Sequence, residues 1–217
     1  MPAHAEILNR LLAHKIIAIV RLDQSEALLN VAEALQAGGL TLIEFTLSTP
    51  GALDLLKVAS ARFGPEVLLG AGTVLDPETA RLAILAGAEF IVTPTLNLET
   101  IKLCRRYGKP IIPGALTPTE ILAAWEAGAD LVKVFPISAM GGPAYLRALL
   151  APLPQLRLAP TGGVSAANVV EYLQAGASAV GVGGKLVDRN TVARGDWPAI
   201  TAEAQRLVAA LQPGALK

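Results

Sequence analysis

A phrase that recurs four times constrains this chain more than any other feature. A helix-compatible stretch ends in Ala37-Gly38-Gly39, Ala86-Gly87-Ala88, Ala127-Gly128-Ala129 and Ala175-Gly176-Ala177. A short apolar run follows each copy, over residues 40–45, 89–92, 130–135 and 178–182. Glycine just past the last helical turn adopts the left-handed conformation at little steric cost. An apolar run without strict alternation reads as a strand covered on both faces. Further strands fit at 16–20, 67–71, 109–112 and 156–159, so eight candidates begin about 20 to 27 residues apart. That interval holds one strand, one helix and two loops.

Helical patterns fill the gaps at 25–37, 51–63, 77–86, 98–107, 118–127, 143–150 and 166–174; a last one covers 198–211 and a short one, 3–13, precedes the first strand. Pro77, Pro118 and Pro143 stand at first helical positions, where a missing N–H is harmless, and Ser165 is placed to cap the helix after Gly163. Eight strand–helix units predict a (β/α)8 TIM barrel with a short N-terminal helix, in one domain over 1–217. The competing class is an open doubly wound sheet. No G-x-G-x-x-G turn follows the first strand, and even spacing suits closure better.

Composition narrows the function. Apolar residues make up 53% and charged residues 17%, which excludes a disordered chain. Eighteen Lys and Arg balance eighteen Asp and Glu, so the charge excess that nucleic-acid binding needs is missing. One cysteine and two histidines cannot build a structural zinc site or an intramolecular disulfide. No run reaches membrane-span length, and the apolar run 16–20 ends at Arg21 without a cleavage site. The expectation is a cytoplasmic protein without nucleic-acid or membrane partners. The low charge content leaves apolar surface that points to a homo-oligomer.

Barrel chemistry lies at the carboxyl ends of the strands. Lys133 interrupts the apolar run Leu131-Val132-Lys133-Val134-Phe135, and Glu44 interrupts Leu42-Ile43-Glu44-Phe45. A buried ammonium needs a partner or gives up its proton. A neutral amine adds to ketones and forms a Schiff base. Burial and a nearby ammonium push a carboxyl in opposite directions, which predicts an ionised Glu44 able to take a proton. Alternation puts Leu42, Glu44 and Thr46 on one face of strand two, and Leu131, Lys133 and Phe135 on one face of strand six, across the barrel. The bland alternative is an unreactive ion pair.

Thr161-Gly162-Gly163-Val164-Ser165 before a helix, with Gly183 and Gly184 after strand eight, has the layout of a barrel phosphate site; equally, these glycines could only turn the chain. Arg21 at a strand end suits a carboxylate or a rim salt bridge. Cys104 reads as core filling, and His4 and His14 as surface or packing residues.

These residues resemble the class I 2-dehydro-3-deoxy-6-phosphogluconate (KDPG) aldolases, which are grouped with 4-hydroxy-2-oxoglutarate (KHG) aldolases. The motifs run in order from Ile16 to Val187: Ile-Ala-Ile-Val-Arg21, Ile43-Glu44-Phe-Thr-Leu-Ser-Thr-Pro50, Gly70-Ala-Gly-Thr-Val74, Phe90-Ile-Val-Thr-Pro94, Pro113-Gly114, Lys133-Val-Phe-Pro136 and Pro160-Thr-Gly-Gly-Val164. The resemblance implies Lys133 as the Schiff-base lysine and Glu44 as the general acid/base. It implies that Arg21, Thr73 and Thr161 hold the keto acid's carboxylate, that Pro94 and Phe135 wall the pocket, and that Gly162, Gly163, Gly183 and Gly184 lie along the phosphate site. It also implies a homotrimer and no metal or cofactor. Two positions depart from the pattern. Some members carry Arg where this chain has Ser48, and many carry Ser where it has Gly184.

The activity expected is cleavage of KDPG to pyruvate and glyceraldehyde 3-phosphate. The nearest alternative is KHG cleavage to pyruvate and glyoxylate. A phosphosugar isomerase and a non-catalytic phosphate-binding barrel are more distant ones.

Overall fold

The computed structural model describes residues 3–211; the remaining ends of the expected 1–217 domain lie outside the described residues. Among the described residues nine strands pair in parallel and alternate with helices, except that no helix separates the fifth from the sixth. They are β1 (Ile16–Val20), β2 (Leu42–Thr46), β3 (Leu68–Gly72), β4 (Phe90–Val92), β5 (Ile111–Ile112), β6 (Gly114–Ala115), β7 (Val132–Val134), β8 (Leu158–Pro160) and β9 (Val180–Val182). The helices are α1 (His4–His14), α2 (Leu28–Ala37), α3 (Ala52–Phe63), α4 (Pro77–Leu85), α5 (Leu98–Arg106), α6 (Pro118–Glu126), α7 (Pro143–Leu150), α8 (Val169–Gln174), α9 (Arg189–Ala193) and α10 (Trp197–Ala210). Among the described residues, no helix is long and apolar enough to cross a membrane.

The strands form two hydrogen-bonded ladders, β5-β4-β3-β2-β1-β9 and β6-β7-β8. Of the strand expected at 109–112, only Ile111–Ile112 form β5, and Pro113 separates it from β6, which was not expected. β5 pairs with β4 and β6 with β7. Proline has no N–H to continue the first ladder. The Gly114 N–H turns instead to the Thr93 hydroxyl, 3.2 Å away, and the Pro113 carbonyl accepts from the Lys133 N–H. On the other side, Thr161 just past β8 bridges in parallel to Gly181 of β9.

Alternation along each strand sorts side chains into two cores. Ile17, Leu42, Leu68, Phe90, Leu131 and Ala159 meet in one cluster fed by both ladders. Ile7 and Leu11 of α1 belong to it and are fully buried. Each such burial stabilises by about 1.5–3 kcal/mol, enough to hold α1 in place. His4 Nε2 adds a contact to Asp130, 2.9 Å away, so His4 is a docking residue. The opposite strand faces, with Ala18, Val20, Ile43 and Phe45 among them, pack against the surrounding helices in the second cluster.

Several helix boundaries move inward from the sequence expectation. The segment before α2 forms a turn closed by the Ser25 carbonyl, and the helix starts at Leu28. The expected helix at 166–174 starts at Val169, because Asn168 Oδ1 accepts the Ser165 N–H at 2.9 Å and holds 166–168 as a turn. Ser165 is therefore not a side-chain cap. The prolines behave as expected: Pro77, Pro118 and Pro143 open α4, α6 and α7. Asp76 caps α4, and Thr117 with Glu120 forms a full capping box on α6.

Candidate active site

A cavity of about 780 Å³ opens where the strands end, and Lys133 at the centre of β7 lines it. Lys133 is 6% exposed, and its Nζ lies 5.1 Å from the centroid of the Phe135 ring. Facing an aromatic ring, an ammonium recovers roughly 0.5–2 kcal/mol of its lost hydration. A second buried lysine offers a contrast. Lys109, 4% exposed, pairs with Glu89 at 3.0 Å. Among the described residues, no carboxylate makes such a contact with Lys133. A close ion pair is thus found at Lys109, and among the described residues none at Lys133.

Glu44 points from β2 toward the same interior and is 1% exposed. Its Oε1 is buried without a hydrogen-bond partner. Its carboxylate occupies the space that a Cβ on Gly72 would take. Burial raises the Glu44 pKa above the usual carboxylate range, against the opposing fields of Lys133 and, less strongly, Arg21. Of these three influences, desolvation is the largest. A buried carboxyl within the field of a lysine is a candidate to take a proton and give it back.

Arg21 lines the cavity just past β1, and its Nη2 donates to Thr73 Oγ1 at 3.3 Å. Thr73 has φ 57°, in the left-handed region that β-branched residues avoid. Thr161, 7% exposed, donates its hydroxyl to the Ala159 carbonyl at 3.3 Å. It fits because Gly181 opposite has no side chain. Pro94 and Phe135 are wall residues.

Gly162 and Gly163 turn with φ of 99° and 80° along one side of the cavity, and Gly183 and Gly184 line it as well. The helix expected next to them starts further along the chain. The six-residue α8 begins beyond the turn that Asn168 holds, with Asn168 Nδ2 donating to the Gly163 carbonyl at 3.0 Å.

The family model for "KDPG and KHG aldolase" matches residues 7–203. The chain belongs to the KDPG and KHG aldolase family. It is 40% identical to the 2-dehydro-3-deoxy-phosphogluconate aldolase of Pseudomonas aeruginosa, over 84% of this chain and 83% of the relative. It is 36% identical to the KHG/KDPG aldolase of Escherichia coli K12, over 89% of this chain and 90% of the relative. Among solved structures it resembles the KDPG aldolase of Legionella pneumophila with pyruvate captured as a covalent carbinolamine. The TM-score there is 0.85, with 32% identity over 92% of this chain and 97% of that one.

Of the eleven site residues expected from the sequence, nine line this one cavity. Glu44 lies buried outside the lining, and Thr73 joins the site through Arg21. In this aldolase-family chain the cavity also takes in Lys185, Asp188, Arg189 and Asn190, which sequence reasoning did not single out as site residues. The signal available was Asp188 three residues before Thr191. Asp188 Oδ1 accepts the Thr191 N–H at 3.0 Å and caps α9, a helix too short to show periodicity. Arg189 reaches Asp23 at 3.4 Å, both exposed. Cys104 is buried, and burial, with the Asp130 charge, pushes its thiol up to about 12. It stays a core residue.

Proposed function

We propose that this chain is a class I aldolase that cleaves KDPG to pyruvate and glyceraldehyde 3-phosphate. The observation that carries this reading is Lys133, buried on β7 with no ion pair among the described residues, together with Glu44, buried on β2 with its Oε1 unpartnered. Lys133 Nζ adds to the C2 ketone, and loss of water gives an iminium. Glu44, directly or through a water, takes the C4 hydroxyl proton. The C3–C4 bond then breaks, its electron pair flows into the iminium, and the aldehyde leaves. Protonation of the enamine at C3 and hydrolysis of the imine release pyruvate and restore Lys133. The iminium is the electron sink, so the reaction as written needs no metal or cofactor.

In this reading Arg21, Thr73 and Thr161 hold the keto acid's carboxylate. The N–H groups of the Gly162-Gly163 turn and of Gly183 and Gly184 take the phosphate, in the barrel position usual for that group. Pro94 and Phe135 keep the reacting carbons dry. The two ladders form one closed (β/α)8 barrel in a single domain, joined at Pro113 and at the Thr161–Gly181 bridge. Exposed Leu75, Leu82, Leu85 and Leu98 on and around α4 support assembly with further copies, as a homotrimer in the cytoplasm.

KHG cleavage is the second reading. Gly184 favours it, since this position offers a phosphate no side-chain hydroxyl.

The test is borohydride reduction in the presence of pyruvate, followed by peptide mapping. One reduced pyruvate adduct per chain at Lys133 is expected. Folded protein without an adduct would refute the imine mechanism. Turnover of KDPG against KHG then ranks the two substrates, and light scattering reads the assembly.

A further inference from the structure

We propose that the buried hydroxyls of Thr46 and Thr49 are positioning groups that fix Arg21 for the substrate's carboxylate; this rests on the aldolase reading above. Arg21 is exposed and stands one residue past the end of β1. Its neighbours on either side are both tied down. Thr46 Oγ1 donates to the Val20 carbonyl at 3.2 Å, and the Leu22 N–H donates to Thr49 Oγ1 at 3.0 Å. The two hydroxyls lie 3.4 Å apart. The proton count gives the chain a direction. Thr46 spends its proton on Val20, so the Thr49 hydroxyl donates to Thr46 Oγ1. Ser48 Oγ donates to the same atom at 3.3 Å, which uses its second lone pair. The result is a path, Leu22 N–H to Thr49 to Thr46 to Val20 carbonyl, that spans Arg21.

Packing alone does not ask for these hydroxyls. Thr46 is 0% and Thr49 1% exposed, and valine has the same shape without the polar atom. What the hydroxyls do is bind the Arg21 segment to the loop after β2, the strand that carries Glu44. An exposed arginine on a loose loop would sweep many rotamers. With its backbone fixed on both sides and its Nη2 on Thr73, the guanidinium is pre-organised at the cavity edge. Ser48, where some members of the family carry Arg, thus belongs in this chain to the support of a different arginine.

The test is the concentration of pyruvate that half-saturates borohydride trapping at Lys133, measured for Thr49→Val and Thr49→Ser, each with Arg21 intact and with Arg21→Ala. Thr49→Val is expected to raise the half-saturating concentration about tenfold, equivalent to ~1.4 kcal/mol. The trapping rate at saturation should change by less than about twofold. Thr49→Ser should restore wild-type affinity. In the Arg21→Ala background Thr49→Val should add nothing, because it acts through Arg21. Thr49→Ala replaces Thr49→Val if the valine variant does not fold. An unchanged half-saturation in folded protein, or an equal effect with and without Arg21, overturns the inference. Wild-type protein that traps no pyruvate overturns the aldolase reading first, and this one with it.

Discussion

The carboxylate of Glu44 lies in the space that a side chain on Gly72 would fill. The two residues sit on neighbouring strands, with Thr46 of β2 in register with Gly72 of β3. Glycine at 72 is therefore required by Glu44 and not by the backbone, whose φ there is ordinary for any residue. Gly72→Ala should drive the carboxylate off its position. Turnover is expected to fall on the order of 10²-fold, since a displacement of about 1 Å at a reacting group has that effect. Overpacking should cost about 1–3 kcal/mol in denaturant unfolding. Near-normal turnover in Gly72→Ala would show that the position of Glu44 does not matter.

Glu44→Gln tests the same group through its proton. Loss of a general acid/base is expected to lower kcat by about 10²- to 10⁴-fold. The variant should also change stability against pH. In the unfolded chain Glu44 titrates near 4.5, and burial raises it in the fold. Between those two values the folded state keeps a proton that the unfolded state has lost. Its stability contribution is therefore complete below 4.5 and lost as pH rises through the folded value. Glutamine carries no charge in either state. The melting temperature of Glu44→Gln relative to wild type should rise with pH across that window. A difference independent of pH would contradict the raised pKa.

Much of this site was legible because charges in apolar strands are conspicuous. Lys133 and Glu44 stood out against Val, Leu, Ile and Phe, and the Ala-Gly phrases marked where four of the strands begin. Lys109 is the instructive omission. It sits at a strand edge in sequence, so its burial beside Glu89 left no mark. Thr46 and Thr49 were equally silent, since threonine suits a strand as well as valine does. The α8 boundary failed for a different reason: a side-chain bond from Asn168 to the Ser165 N–H competes with the helix, and propensity does not register it. The division at Pro113 follows from a missing N–H that was visible in the sequence, but its effect depends on which strands lie on either side.

Lys133→Met should separate function from stability. The thioether chain fills similar space without an ammonium. No pyruvate adduct should form and turnover should be lost. The fold should become more stable, by about 1 kcal/mol or more, because a buried amine that makes no ion pair among the described residues has been removed. Chemical denaturation of both proteins measures this. A variant less stable than wild type would mean that Lys133 holds the fold together.

The mouth of the cavity offers a gain-of-function test. A Cβ on Gly184 would meet nothing within 4 Å, and φ there is not in the left-handed region, so a side chain enters without strain. Gly184→Ser places a hydroxyl next to the Gly162-Gly163 turn, and it should leave the melting temperature unchanged. One added hydrogen bond to a charged oxygen is worth roughly 1.5–3 kcal/mol at best. KM for KDPG is therefore expected to fall by about tenfold and at most about a hundredfold, with kcat unaltered, because phosphate is bound alike before and during bond cleavage. KHG has no phosphate, so its KM should not follow. If both substrates improve together, the hydroxyl acts on the keto-acid end and the phosphate lies elsewhere. If neither improves, main-chain groups with Lys185 already satisfy the phosphate, and Lys185→Ala should then raise KM for KDPG alone.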